Sequence, residues 1–222
     1  MFIFAPDMGG LGISIIKALV IGLAASMPLG PVGIMCIQKT LGKGRLDGFS
    51  VGVGAALGDT TYATISLLSI AFIRDFIERN SDVVMLAGGA IIFTIGLKIL
   101  LSNPFKNVKQ QKDSGSGSIA EAARGFIMTL SNPAALVVML GLFAYFRLGT
   151  GQDYEPLAAI LIILGVLAGT LTWWFLLSGA VSKFRKKFKL NQIIAINRIS
   201  GAIIATLGLL SLIKGLVSII RP

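Results

Sequence analysis

The chain has 222 residues, 55% of them hydrophobic and only 14% charged, with a mean hydropathy of +0.85. That balance excludes an ordinary soluble domain and points to an integral membrane protein. With no histidine and one cysteine, Cys36, the sequence also excludes imidazole-held zinc, histidine acid–base catalysis, an internal disulfide and a two-cysteine redox relay, and it implies no cofactor.

The net charge of +10 does not describe a nucleic-acid surface, because the basic residues lie in short segments between apolar runs. Six runs are long enough to cross a bilayer, each needing roughly 20 residues. They fall at about 11–37, 48–72, 83–101, 123–146, 157–180 and 199–220. No basic region precedes the first run, so it is expected to be a retained span and not a cleaved signal. Lys39, Lys43 and Arg45 separate spans one and two. Lys106, Lys109, Lys112 and Arg124 separate three and four, and Lys183, Arg185, Lys186, Lys187, Lys189 and Arg198 separate five and six. The opposite side carries Arg74 and Arg79, offset by Asp75, Glu78 and Asp82, then Arg147 and Arg221. This bias places the odd-numbered connections in the cytoplasm and both termini outside.

Span one contains Ser26-Met27-Pro28-Leu29-Gly30-Pro31-Val32-Gly33. Two prolines three residues apart, with a glycine between them, break a helix. Inside a membrane such a break requires protein or a water-filled cavity to satisfy the freed carbonyls, and discontinuous helices of this kind build transporter sites. Span two sets Gly48 and Gly52, then Gly54 and Gly58, along one helix face, which favours close helix packing and also permits a homodimer. Asp59 lies about halfway along that span, where an aspartate costs about 2.5–3.5 kcal/mol on insertion scales, so it must face protein or water. Tyr62, one turn on, offers a hydroxyl to Asp59 or to a ligand, or else packs with its hydroxyl satisfied locally. Lys17, Lys98 and Lys214 lie near span ends, where snorkelling accounts for them; pairing of Lys17 or Lys214 with Asp59 is the alternative.

Span three shows no chemistry. The polar segment from Lys106 to Ser118 reads as a linker dividing two halves of three spans. Span four holds a second break at Leu130-Ser131-Asn132-Pro133-Ala134, because Asn is a good N-cap and Pro is favoured at the first helical position. Trp173 and Trp174 are read as an interfacial belt at the end of span five, with a substrate-stacking role as the alternative. The stretch Lys183 to Lys189 is a basic, orientation-setting loop, with an alternative place on the anionic inner leaflet. The expected fold is one all-α membrane domain over 1–222. It has six transmembrane helices in two three-helix inverted repeats, about 11–101 and about 123–220, with a linker at about 102–122 and with helices one and four broken.

At Gly30-Pro31, Gly42 to Gly48, Gly54 to Tyr62 and Leu130-Ser131-Asn132-Pro133, in that order and spacing, the chain resembles the lysine-exporter (LysE-type) family of bacterial transporters over nearly its whole length. The resemblance implies six spans, an inner-membrane location, export of amino acids or related small metabolites, and coupling to the proton motive force. Two positions depart from the family pattern: Leu29 stands where a proline often precedes Gly-Pro, and Ala134 where a lysine often follows Asn-Pro.

The combined reading is a secondary exporter, not an enzyme, whose partners are a small-molecule substrate and membrane lipids. Its substrate or proton pathway is expected to comprise Asp59, Tyr62, Pro28, Gly30, Pro31, Ser131, Asn132 and Pro133. The two half-helix N-termini offer amides to an anionic group, and Asp59 takes the substrate amine or a proton. The rival within the wider superfamily is a metal-cation exporter, disfavoured because divalent ions want several oxygen ligands and one acid lies at depth. A membrane-embedded enzyme would need a nucleophile–base or carboxylate pair that the sequence lacks, and a non-transporting scaffold would treat both breaks as kinks.

Overall fold

The computed structural model describes residues 8–72, 79, 81–102, 117–148, 156–184 and 190–220. Arg74, Asp75, Glu78, Lys106, Lys109, Lys112, the run Arg185 to Lys189, and Arg221 lie outside the described residues, as does most of the linker.

Among the described residues the chain is all-helical: α1 (Met8–Ser26), α2 (Pro31–Gly42), α3 (Arg45–Phe72), α4 (Ser81–Leu101), α5 (Ser118–Leu130), α6 (Pro133–Tyr145), α7 (Pro156–Lys183) and α8 (Leu190–Ile220). Both expected breaks are present. The α1–α2 pair is bent by 78° and the α5–α6 pair by 71°. Each second half-helix starts at a proline, which lacks the N–H that the preceding turn would have used. Each also stops at a left-handed residue, Gly44 (φ +113°) after α2 and Arg147 (φ +53°) after α6. At the second stop, Arg147 N–H donates to the Ala144 carbonyl (3.1 Å) and Leu148 N–H to the Phe143 carbonyl (2.9 Å), with Leu148 buried. That is a Schellman C-cap with its hydrophobic contact.

Four of the six predicted spans meet the requirements of length and hydropathy for crossing a membrane: α7, α8 and the two bent pairs. The other two do not meet them as free-standing helices. α3, with 28 residues, is long enough at about 42 Å. Its middle, however, carries Asp59, Thr60, Thr61, Tyr62 and Thr64. The apolar part of α4 is the shorter stretch Leu86–Leu101. The physical reason for the polarity of α3 is its position: it packs against α1, α2, α5, α6 and α7, which bury Asp59 and Tyr62, while Leu57, Ile65 and Leu68 lie on its exposed side. A helix wrapped by others need not be apolar all round.

Small residues set the pairings. A Cβ on Gly54 would strike the Ala122 carbonyl of α5, and one on Gly125 would strike the Val51 carbonyl of α3. The α1–α7 contact is built alike, with Gly22 against the Val166 carbonyl and Gly169 against the Leu19 carbonyl. From Gly54 on Ala122 to Gly58 on Thr129, and from Gly165 on Ile15 to Gly169 on Leu19, residue numbers rise together, so α3 runs parallel to α5 and α1 parallel to α7. α4 and α8 meet through Gly89 on Leu212, Gly96 on Ala205 and Gly201 on Leu100, which makes that pair antiparallel.

Two apolar clusters form the interior. One contains Ala18, Ile21, Ala63, Leu67, Met139, Phe143 and Val166; the other contains Leu29, Cys36, Ile37, Val51, Ala56, Trp174 and Leu177. Along α3 the second cluster ends at Ala56 and the first begins at Tyr62, and the buried Asp59 lies between them. Trp174 is 3% exposed, packed over Gly52 in midhelix, and α7 continues nine residues past it to Lys183. The interfacial-belt reading of that residue is therefore corrected: the glycine opposite leaves room for an indole in the core.

Gly54→Leu would place a branched side chain against α5 backbone, and overpacking costs about 1–3 kcal/mol. Its thermal unfolding midpoint in detergent should fall by several degrees. Gly88→Ala, where a Cβ meets nothing within 4 Å, should leave the midpoint unchanged.

Candidate functional site

Asp59 is 7% exposed, and Ser26, the last residue of α1, donates its hydroxyl to Asp59 Oδ2 at 2.8 Å. One turn further along α3, Tyr62 donates its hydroxyl to the Leu130 carbonyl at 2.8 Å. Leu130 is the last residue of α5. Thus a single turn of α3, about 4.5 Å of rise, holds the end of the helix before each break.

Those bonds answer the problem that each break creates. In a continuous helix the Met27 carbonyl would accept from residue 31 and the Leu130 carbonyl from residue 134. Residue 31 is proline and has no N–H. The N–H of Ala134 is turned to the Asn132 side chain at 3.2 Å. Tyr62 supplies the missing donor at Leu130, and the hydroxyl of Ser200 in α8, which is 3% exposed, shares its proton between the Ile196 carbonyl of its own helix at 2.8 Å and the Met27 carbonyl at 3.1 Å. The Leu130 and Met27 carbonyls thus each have a hydroxyl from a distant helix within hydrogen-bond distance, as a nonpolar surround favours.

The two half-helix starts differ. α2 has Pro31 first and no side-chain cap. α6 is capped by its own Asn132, and Ala135 N–H donates to the Asn132 carbonyl at 3.0 Å. The expectation of bare amides at both starts is therefore corrected at the second, because the N-cap uses the amide itself. Pro28 and Gly30 are half-buried, while Pro31, Ser131, Asn132 and Pro133 are exposed. Ser131 returns its hydroxyl to the Ile127 carbonyl of its own helix at 2.8 Å.

Tyr62 does not supply its hydroxyl to Asp59; Ser26 does. Nor do the span-end lysines pair with Asp59. Lys17 Nζ donates to the Phe146 carbonyl at 3.3 Å, and Lys214 Nζ stands 5.7 Å from the Tyr145 ring centroid. Both cations thus attend the C-terminus of α6, where the helix dipole favours positive charge. Among the described residues no three Asp, Glu or Cys side chains gather as a metal site would require.

Sequence reasoning missed Ser200 as a carbonyl donor and misplaced a second polar cluster. Lys39, assigned to a loop, is inside α2 and 7% exposed, and Glu121, assigned to the linker, is inside α5 and fully buried. Lys39 Nζ and Arg124 Nη1 both lie 3.0 Å from Glu121 Oε1. The available signal was Glu121 three residues before Arg124, the spacing of a helical ion pair.

A family profile described as LysE type translocator matches residues 23–215, a span that includes both breaks, α3 and the Asp59 region. A Bacillus subtilis (strain 168) protein named "Putative amino acid efflux protein YcgF" is 25% identical over 201 residues, covering 86% of this chain and 90% of that protein. An Escherichia coli (strain K12) protein named "Uncharacterized membrane protein YahN" is 26% identical over 183 residues, covering 81% and 80%. No solved structure matches.

Tyr62→Phe removes the donor to the Leu130 carbonyl and leaves that acceptor buried without it, at a cost of about 1–3 kcal/mol. The variant should show a lower unfolding midpoint than the parent protein, while Thr61→Val, at a half-buried position whose hydroxyl bonds back to the Leu57 carbonyl of its own helix, should shift it by much less. Equal midpoints for Tyr62→Phe and the parent would remove this hydroxyl from the support of the second break.

Proposed function

The chain belongs to the LysE type translocator family, and from that premise we propose that it is a secondary exporter of amino acids or related small metabolites, driven by the proton motive force across a bacterial inner membrane. That it is a membrane-embedded transporter follows from the family and from its apolar helices. The observation that carries the finer reading is the convergence of both helix breaks on one turn of α3 beside the buried Asp59.

In this reading the membrane is crossed six times, with both termini outside. The parallel pairs α1–α7 and α3–α5 and the antiparallel pair α4–α8 have the directions that six alternating spans require. The same pairs support two inverted repeats, since the first half-helix of each half lies along the second span of the other. Gly54-x-x-x-Gly58-Asp59 in α3 and Gly165-x-x-x-Gly169-Thr170 in α7 add a residue-level match, both glycine pairs facing a half-helix.

The substrate carboxylate is assigned to the uncapped start of α2 at Pro28, Gly30 and Pro31, where the dipole favours an anion. Asp59 exchanges a proton or meets the substrate amine, and Ser26 reports its state to α1 through their shared hydrogen bond. Tyr62 fixes the second break, and Ser131, Asn132 and Pro133 form the opposing turn. Movement of one repeat against the other then exposes the site alternately to each side. The amino-acid class is also supported by the printed name of the Bacillus subtilis relative.

The test is gradient-driven flux in proteoliposomes, using substrates first identified by comparing the medium of cells with and without the protein. Asp59→Asn should lose at least about tenfold in flux under a proton gradient, a change of about 1.4 kcal/mol or more. Undiminished gradient-driven flux in that variant would remove Asp59 from the coupling step.

A further inference from the structure

We infer that Lys39 and Glu121 form a latch that closes the cytoplasmic mouth of the transport path, which must part for substrate to enter. The inference rests on the exporter reading and names residues beyond its mid-depth site.

Lys39 lies near the end of α2 and Glu121 in the first turn of α5, so the pair joins the two half-helix segments that belong to opposite halves of the chain. The contact is built for the interior. Glu121 is fully buried and Lys39 is 7% exposed, and Arg124 Nη1 comes within 3.0 Å of the same carboxylate oxygen that Lys39 holds. Burying such charges costs several kcal/mol per ion before pairing repays it. Apolar side chains would glue two static helices at less cost. An ion pair at a seam has a different property: it holds strongly when dry, and each partner is well solvated once water enters. That suits a contact that opens and recloses.

The other end of the molecule gives the contrast. Lys17 stands nine residues before the end of α1, and Glu121 stands nine residues before the end of α5. They occupy equivalent places in the two halves. Glu121 reaches the end of α2 through an ion pair at 3.0 Å, whereas Lys17 reaches the end of α6 through one hydrogen bond at 3.3 Å to the Phe146 carbonyl. Of these two equivalent contacts the one at Lys39 is the buried ion pair, and opening at that end requires this pair to part.

The chain carries its own probe. Its single cysteine, Cys36, lies on α2 three residues nearer the break than Lys39, on the same helix face, and is fully buried. A seal at Lys39 shields it from the cytoplasmic side. The experiment measures Cys36 labelling by a membrane-impermeant maleimide in inside-out and right-side-out vesicles, with the unfolding midpoint followed in parallel. Lys39→Met combined with Glu121→Gln removes both charges together, so neither is left buried alone. Labelling in inside-out vesicles should rise at least tenfold, with labelling in right-side-out vesicles unchanged. Glu121→Asp, a milder change that keeps the charge and withdraws it by one methylene, should raise it about threefold and carries the test if the double variant does not fold. Lys39→Arg should label as slowly as the parent protein.

Unchanged labelling in folded Lys39→Met/Glu121→Gln or Glu121→Asp protein overturns the latch. So does a rise on both faces that merely follows a lower unfolding midpoint, the signature of a purely structural pair. A rise confined to right-side-out vesicles overturns the cytoplasmic placement and with it the topology of the exporter reading. Because labelling needs no transported substrate, a failure to find any exported metabolite would count against the exporter reading and leave the labelling result standing.

Discussion

A helix interrupted at depth leaves carbonyl oxygens without donors, and that deficit organises this molecule. Water is not available to lipid-facing backbone, so every freed carbonyl must be met from within the protein. The Met27 carbonyl is met by Ser200 and the Leu130 carbonyl by Tyr62. These donors come from α8 and α3, far along the chain from the carbonyls they serve. Local sequence places the breaks, and the tertiary bundle then brings donors to carbonyls they free. Long-range contacts at α3 also explain how that helix holds a buried aspartate and a cluster of half-buried threonines.

The close glycine contacts follow from the same demand. Tyr62 reaches the Leu130 carbonyl across the α3–α5 seam, where the backbones approach nearer than ordinary side chains allow. Gly54, Gly58 and Gly125 clear the α3–α5 seam, and Gly22, Gly165 and Gly169 clear the α1–α7 seam. Close approach between membrane helices gains its stability from packing and from interhelical hydrogen bonds, not from expelling water. The glycines and the hydroxyl donors are thus two parts of one arrangement.

The sequence made the breaks legible because proline and asparagine carry their backbone consequences with them wherever they stand. Pro31 lacks an N–H and Asn132 caps a helix, so both interruptions could be placed without knowing any neighbour. Asp59 was legible for a similar reason, since an acid in the middle of an apolar run has a cost that must be answered. Ser26 and Ser200 were not legible as donors, because which hydroxyl meets which carbonyl is decided by tertiary packing. Lys39 and Glu121 were read as loop charges because hydropathy marks where an apolar run ends, while α2 and α5 continue as helix beyond it. Trp174 was read by its nearness to a run's end, and the glycine opposite it, Gly52, is 122 positions earlier in the chain. The equivalence of Gly54-x-x-x-Gly58 and Gly165-x-x-x-Gly169 was present in the sequence, but it becomes meaningful only when each pair is seen to face a half-helix.

The division of the core into two apolar clusters bears on how such a site could work. Asp59 and Ser26 form a polar layer with an apolar cluster on each side along α3. In the exporter proposed above, a polar substrate reaching that layer would displace one cluster at a time, since parting both would open a continuous channel and dissipate the gradient. The geometry offers a means of keeping the two apart. α3 holds both breaks through bonds one turn apart, so in that exporter a shift of α3 would bear on both half-helices at once. The coupling then lies in α3 itself: its Asp59 faces α1 and its Tyr62 faces α5, and the two clusters are its two ends.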